Sequence, residues 1–194
     1  MQTGGPANLT VGLTAGDILR IDVGAPETGL DSWNNLTGPV GGSLINARTT
    51  GGVMSTVDIA VTDGFSGTNT AGIGSNDVGY PAAATRDTFW TGSFDGHQKA
   101  LMAPGQLTIR DLDPAGTYAI RLFAARTGDD GGRGRLTRYA IDGTTKDLRV
   151  ADNTSAQAEF TGVSPSNRGD VVMDVQASPA GTGRFGYVGV VEIE

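Results

Sequence analysis

Acid–base chemistry near neutral pH needs a side chain whose proton affinity lies close to the working pH. The 194-residue sequence holds one histidine, His97, within Phe94-Asp95-Gly96-His97-Gln98, where it reads as a loop residue. Zinc motifs need two or three imidazoles or thiolates, so one histidine and no cysteine exclude them. Thiol catalysis and disulfides fall with the same count. No G-x-S-x-G nucleophile motif occurs. Glycoside hydrolysis needs two carboxyl groups held about 5 Å or about 6.5–9.5 Å apart. Most of the acidic residues, among them Asp63, Asp111, Asp113, Asp129, Asp130, Asp142, Asp152 and Asp170, stand in turns, where capping a downstream N–H is sufficient reason for them. Asp58 and Asp174 interrupt strand-like runs and are expected on solvated faces. Eliminative cleavage of a uronic polymer would draw on Arg126, Tyr139 and His97, which nothing in the spacing gathers. The chain is therefore read as non-catalytic, with a polysaccharide-active enzyme kept as an alternative.

Binding chemistry has more to work with. Sugars are held by aromatic faces against C–H surfaces, with amides, carboxylates and guanidinium groups bonding to hydroxyls in a concave patch. Trp33, Tyr80 and Trp90 lie in or beside long loops, and Arg86, Asp87, Arg126, Asp129 and Arg133 are the polar partners within reach. The competing role for each aromatic is core packing, since the chain has only two Trp and four Tyr. Calcium needs six to eight oxygens from carboxylates, amides and carbonyls. Asp22, Asp31 and Asn34, with Asn35, are the candidates for a structural calcium; Asp129 and Asp130 are others, and ordinary Asx turns compete for all of them. The glycine run Gly128 to Gly134 lacks the strand–glycine–helix context of a phosphate loop.

Positioning these groups falls to strands. Thr117 to Arg126 alternates Tyr118, Ile120 and Leu122 against Ala119, Arg121 and Phe123, which predicts a central antiparallel strand. Asp111 to Gly116 turns into it, and the wide loop Thr127 to Gly134 leads to a second run, Leu136 to Ile141. That loop is the first candidate for a binding edge. Other strands are expected at Asn8–Leu13, Asp17–Val23, Ser43–Ala47, Val53–Val61, Gln106–Leu112, Lys146–Val150, Gln157–Val163, Val171–Val175 and Phe185–Glu194. Ala82 to Ala84 could form one helical turn but is too short for an independent helix. Long excursions, Gly24 to Gly42 and Asp63 to Gly79, are expected to be functional or pinned, with Trp33 the pin of the first. Strands parted by turn signals, without strand–helix alternation, predict an all-β, two-sheet antiparallel sandwich in a single domain, 1–194.

The residues from Asp17 onward resemble a galactose-binding-like β-sandwich of secreted bacterial polysaccharide-associated proteins, a carbohydrate-binding-module-like domain. The resemblance rests on Ile21-Asp22-Val23-Gly24, Trp33-Asn34-Asn35, Tyr80-Pro81 with Arg86-Asp87, and Leu112 through Tyr118 to Arg126. It continues with Arg138-Tyr139, Gly143, Asn153, Val163-Ser164-Pro165 with Gly169, and Tyr187 to Ile193. It implies a jelly roll, a structural calcium, and a non-catalytic module that targets a poly- or oligosaccharide beside an enzyme in a longer, secreted or cell-surface protein. A structural or assembly domain of a cell surface or phage particle is the alternative. The net charge of −7 argues against nucleic acid as partner, and no run approaches the apolar length that spans a bilayer. The opening residues lack the pattern of a signal peptide. Asn8, Asn35 and Asn153 meet the N-glycosylation rule.

Overall fold

The computed structural model describes residues 11–26, 30–92 and 103–194. Half of the expected strand Asn8–Leu13, and His97, lie outside these. The elements run β1 (Leu19–Val23), β2 (Asn34–Leu36), β3 (Ser43–Leu44), β4 (Asp58–Asp63), β5 (Gly67–Asn69), the short helix α1 (Ala82–Arg86), β6 (Thr88–Gly92) and β7 (Gly105–Arg110). They continue with β8 (Tyr118–Phe123), β9 (Leu136–Ile141), β10 (Thr144–Arg149), β11 (Ala158–Val163), β12 (Val171–Ala177), β13 (Phe185–Val188) and β14 (Val190–Ile193). One layer has the order β11-β8-β14-β1-β2, the other β10-β9-β12-β7-β4-β3. The expected all-β sandwich is thus present. Among the described residues no helix is long and apolar enough to cross a membrane.

The two layers meet on the side chains that strand alternation turns inward. Leu19, Ile21, Ile120, Leu122, Val191 and Ile193 of the five-stranded sheet share one continuous core with Ile59, Leu107, Ile109, Tyr139, Met173 and Val175 of the six-stranded one. Each such fully buried aliphatic or aromatic side chain contributes about 1.5–3 kcal/mol. β8 presents Tyr118, Ile120 and Leu122 to this core, as its alternation predicts, and Arg121 and Phe123 to the other face. It is interior but not central: β14 occupies the middle of its sheet.

Four expectations need correction. A third, three-stranded ladder, β13-β6-β5, accompanies the two layers. β2 pairs in parallel with β1, so the sheet is not purely antiparallel. The excursions 24–42 and 63–79 are not bare loops, since they contain β2 and β5. The last strand breaks at Gly189, so that β13 joins the small sheet and β14 the large one. A Cβ at Gly189 would lie 2.9 Å from the Asp87 carbonyl oxygen and 3.1 Å from Thr88 Cγ2, so only glycine permits this close crossing. The break also explains why Tyr187 and Val188, adjacent in sequence, both enter the main core.

Candidate functional site

The outer face of the five-stranded sheet carries a row of charge. Register sets Glu159 of β11 opposite Arg121 of β8, Arg121 opposite Glu192 of β14, and Glu192 opposite Arg20 of β1. Side chains opposite one another on neighbouring strands point the same way, so four residues far apart in sequence form one ladder. Arg121 lies 2.9 Å from Glu159, 3.0 Å from Glu192 and 2.9 Å from Glu194; Arg20 lies 2.8 Å from Glu192. Glu192, whose side chain is only 7% exposed, holds the centre between two cations. The Arg121 guanidinium is held above its already high proton affinity, first by its bond to Glu194 and then by Glu192.

Aromatic rings close the Arg20 end of this row. Trp33 meets Tyr80 edge-on at 5.3 Å, and Tyr80 meets Phe123 in the same manner at 6.0 Å. The Arg20 guanidinium lies 5.8 Å from the Trp33 ring centre and 5.7 Å from that of Tyr80, within the range of cation–π attraction. Tyr80 is buried and firmly set. Its N–H donates to Asn76 Oδ1, Asn76 Nδ2 donates back to its carbonyl, and its hydroxyl accepts from Gln157 Nε2 at 2.8 Å. Burial, and then the Glu192 charge, pushes its phenol up to about 12, so Tyr80 serves neutral pH as a hydroxyl and not as a base. These rings belong to a second apolar cluster with Ala84, Ala125 and Val190, against which Leu30, Ile73 and Val78 pack. Excursions 24–42 and 63–79 therefore lie pinned on the outer sheet face, and Trp33, half-buried, stands at its margin.

Arg86 is exposed at the end of α1, but Asp87 is 1% exposed. The Asp87 carboxylate accepts the Ala25 N–H and would overlap any Cβ placed on Gly24. Asp22, also buried, accepts from Asn35 Nδ2 at 3.0 Å, and the same amide reaches the Ala25 carbonyl. Asp87 thus fastens the corner after β1. Within the proposed calcium set, Asp22 and Asn34 point to opposite faces of the β1–β2 pair. Asn35 shares a face with Asp22, whereas Asn34, one residue earlier, projects to the opposite side, where its Oδ1 accepts the Arg48 N–H at 2.7 Å and its Nδ2 bonds two carbonyls. Asp31 is exposed. Among the described residues no group of three His, Asp or Glu side chains gathers as for a metal.

Trp90 packs edge-on against Phe185 at 5.5 Å, and a Cβ on Gly67 would come within 3.0 Å of its Nε1. It fills the seam of the small sheet, apart from Trp33. Phe185 is in turn 6.2 Å from Tyr187. Beyond them lies the Gly128–Gly134 loop. Its chain turns through positive φ at Asp130, Gly131 and Gly132, as a glycine-rich run permits. Asp129 accepts the Gly132 N–H at 3.0 Å in an Asx turn, the bland role that composition offers it. Arg126 donates to the Ala71 carbonyl at 2.6 Å, and exposed Arg133 reaches the Asp130 carbonyl at 3.4 Å. Arg135, absent from the sequence-derived set, donates to the Gly128 carbonyl at 2.9 Å and to the Tyr187 hydroxyl.

Tyr139 is fully buried and its hydroxyl donates to the Tyr187 carbonyl at 2.7 Å. Burial drives its phenol far above the ordinary range. It cannot serve as the base of an elimination, which removes one member of that set. Asn153 is also buried, with both amide hydrogens given to the Ala124 and Ala156 carbonyls, so its sequon presents no acceptor. Sequence reasoning also missed Arg20, Arg121 and Glu192. Their outward parity was readable from strand alternation; their alignment was not, because register was unknown. The larger clefts among the described residues lie away from Trp33, at the Glu159 end of the row and beyond it. A trench of about 270 Å³ beside Thr144, Lys146 and Thr161 opens where β11 bulges away from β8, and meets a second of about 430 Å³ at Ile141, Asp142 and Ser164. Neither contains an aromatic ring turned outward: the trench's single ring, Phe160, is a core residue.

No protein-family model matches the chain, and no curated protein matches it by sequence. Solved structures do. The chain is similar to a plant receptor-like kinase, FER, with a TM-score of 0.55 at 13% identity, over 98% of this chain and 54% of that one. It is similar to the ANXUR1 extracellular domain from Arabidopsis thaliana, with a TM-score of 0.52 at 12% identity, over 95% of this chain and 52% of that one. Bacteroides uniformis beta-glucuronidase matches with a TM-score of 0.52 at 10% identity, over 91% of this chain but 18% of that enzyme. The chain therefore spans about half or less of these neighbours. At such identities the likeness is one of fold, that of a β-sandwich.

Proposed function

We propose that the chain is a non-catalytic carbohydrate-binding module, a jelly-roll sandwich of the galactose-binding-like kind, that targets a polysaccharide at the cell surface or outside the cell. The observation that carries the reading is Trp33. It is half-buried, held in one orientation by the edge of Tyr80 and the Arg20 guanidinium, and flanked by the fixed polar row Arg20–Glu192–Arg121. A pre-oriented ring beside immobilised hydrogen-bonding groups meets the demands of sugar recognition, and little side-chain entropy remains to be lost on binding. Two of the neighbouring folds support the setting: one is an extracellular domain, and one is a small part of a beta-glucuronidase. The reading does not require a structural calcium.

The test is an affinity-gel and glycan-array panel on the isolated protein, with Trp33→Ala and Trp90→Ala, each checked for fold by circular dichroism. Retention on at least one glycan, abolished by Trp33→Ala in a folded protein and kept by Trp90→Ala, is the expected outcome. An assembly domain is the second reading, favoured by Val40, Ile45 and Val53, which are 75%, 61% and 47% exposed around the β3 edge. No retention across the panel, with concentration-dependent self-association, would establish that reading instead.

A further inference from the structure

β8 leads from the charged row at Arg121 through Phe123 and Ala125 to Arg126, so the outer sheet face continues into the Gly128–Gly134 loop. Charge is distributed unevenly along this path. Arg20, Arg121, Arg138 and Arg184 each have a carboxylate oxygen within 3.2 Å. Arg126, Arg133 and Arg135 do not: their donors meet the carbonyls of Ala71, Asp130 and Gly128 and the Tyr187 hydroxyl. The nearby acids each have a partner, although the two that accept N–H groups keep their charge. Asp130 is held by Arg184, Asp129 by the Gly132 N–H, and Asp152 by the Gly128 N–H at 2.9 Å. Arg126 Nε is buried and meets no acceptor, a cost that a nearby negative charge would offset. Arg126 and Arg135 both lie close enough to Tyr187 to draw its proton affinity down, and exposed Arg133 stands between them in sequence, in a chain whose net charge is −7. The guanidinium fork matches carboxylate and sulfate groups in a way that an ammonium does not.

We propose that Arg133, within the Gly128–Gly134 loop, and Arg126 and Arg135, on either side of it, form a subsite for the carboxylate or sulfate groups of an anionic polysaccharide. The proposal rests on the carbohydrate-binding reading and names the class of glycan. The overall negative charge of the chain opposes general polyanion capture, so the arginines act locally on a chain whose anionic groups are spaced by sugar rings.

Affinity electrophoresis of the full chain in gels containing alginate, dextran sulfate or neutral dextran tests this, with salt varied and a single-stranded DNA oligonucleotide as a further arm. R133Q, at an exposed position, guards against misfolding in the R133Q/R135Q pair. Retardation by alginate or dextran sulfate but not by dextran, weakened by salt and roughly tenfold weaker in the pair, is expected; the stronger of the two gels identifies carboxylate or sulfate as the anion. Salt-insensitive binding to a neutral glycan, lost with Trp33→Ala and indifferent to the arginines, would overturn the subsite and leave the module reading intact. No retention on any glycan would overturn the module reading itself. DNA binding equal to that of the anionic glycans would show general polyanion affinity and also overturn the proposal.

Discussion

The Arg121 guanidinium stands 3.0 Å from the Glu192 carboxylate across β8 and β14, and the same carboxylate lies 2.8 Å from Arg20 on the far side. One nearly buried anion therefore holds two half-exposed cations in line, one of which orients Trp33. Structure and the proposed binding surface share this residue.

Glu192→Gln removes the anion and leaves two guanidinium groups facing each other. Breaking a fully buried pair costs about 3–5 kcal/mol. The Arg20 and Arg121 side chains are 34% and 28% exposed, which screens the effect, so about 2 kcal/mol is expected. Urea unfolding should show a lower midpoint at unchanged slope. A loss below about 0.5 kcal/mol would class the row as an ordinary surface ion pair.

Tyr80, Tyr139 and Tyr187 are all held above the ordinary phenol range, chiefly by burial, with Tyr80 pushed up to about 12. Above pH 10 the unfolded chain releases these protons while the folded chain keeps them. Stability is thus full below about pH 10 and falls as pH rises toward 12. Ultraviolet titration of the native protein should show buried tyrosines, Tyr80 and Tyr139 above all, still protonated above about pH 10 and ionising with the rest only once urea is added. Simultaneous ionisation near 10 in the native protein would contradict the burial of these rings.

Asn153 makes four bonds under the exit of β8, donating to the carbonyls of Ala124 and Ala156 and accepting from the N–H groups of Ser155 and Ala156. Asn153→Ala leaves buried backbone groups unmatched, and a loss of roughly 2–4 kcal/mol is expected. Calorimetry measures it. Anionic-glycan retention should weaken as well, because the backbone leading to Arg126 loosens.

Gly186 lets β13 lie directly on β12: a Cβ there would overlap the Gln176 backbone. Gly186→Ala should destabilise by roughly 1–3 kcal/mol through overpacking. Gly143→Ala serves as contrast. That position has φ +73 and open space around it, so its penalty comes from backbone strain alone, about 1 kcal/mol. Equal and negligible losses in both would mean that the layers are less closely packed than described.

Sequence by itself determined the all-β class, the inward and outward faces of β8, and the helical turn at Ala82, because alternation and turn chemistry are local properties. It also located the glycine-rich loop and the role of Trp33 as a pin. It could not show that Asn34 and Asn35 project to opposite sides of a parallel pair, that Tyr139 is sealed in the core, or that Trp90 sits in the small sheet while Trp33 packs on the outer face of the five-stranded one. Nor could it align Arg20, Arg121, Glu192 and Glu159. Those relations depend on strand order and register between segments up to 172 residues apart. Only the packing of two complete layers selects one register, since a slip of a single residue would exchange the core face for the solvent face.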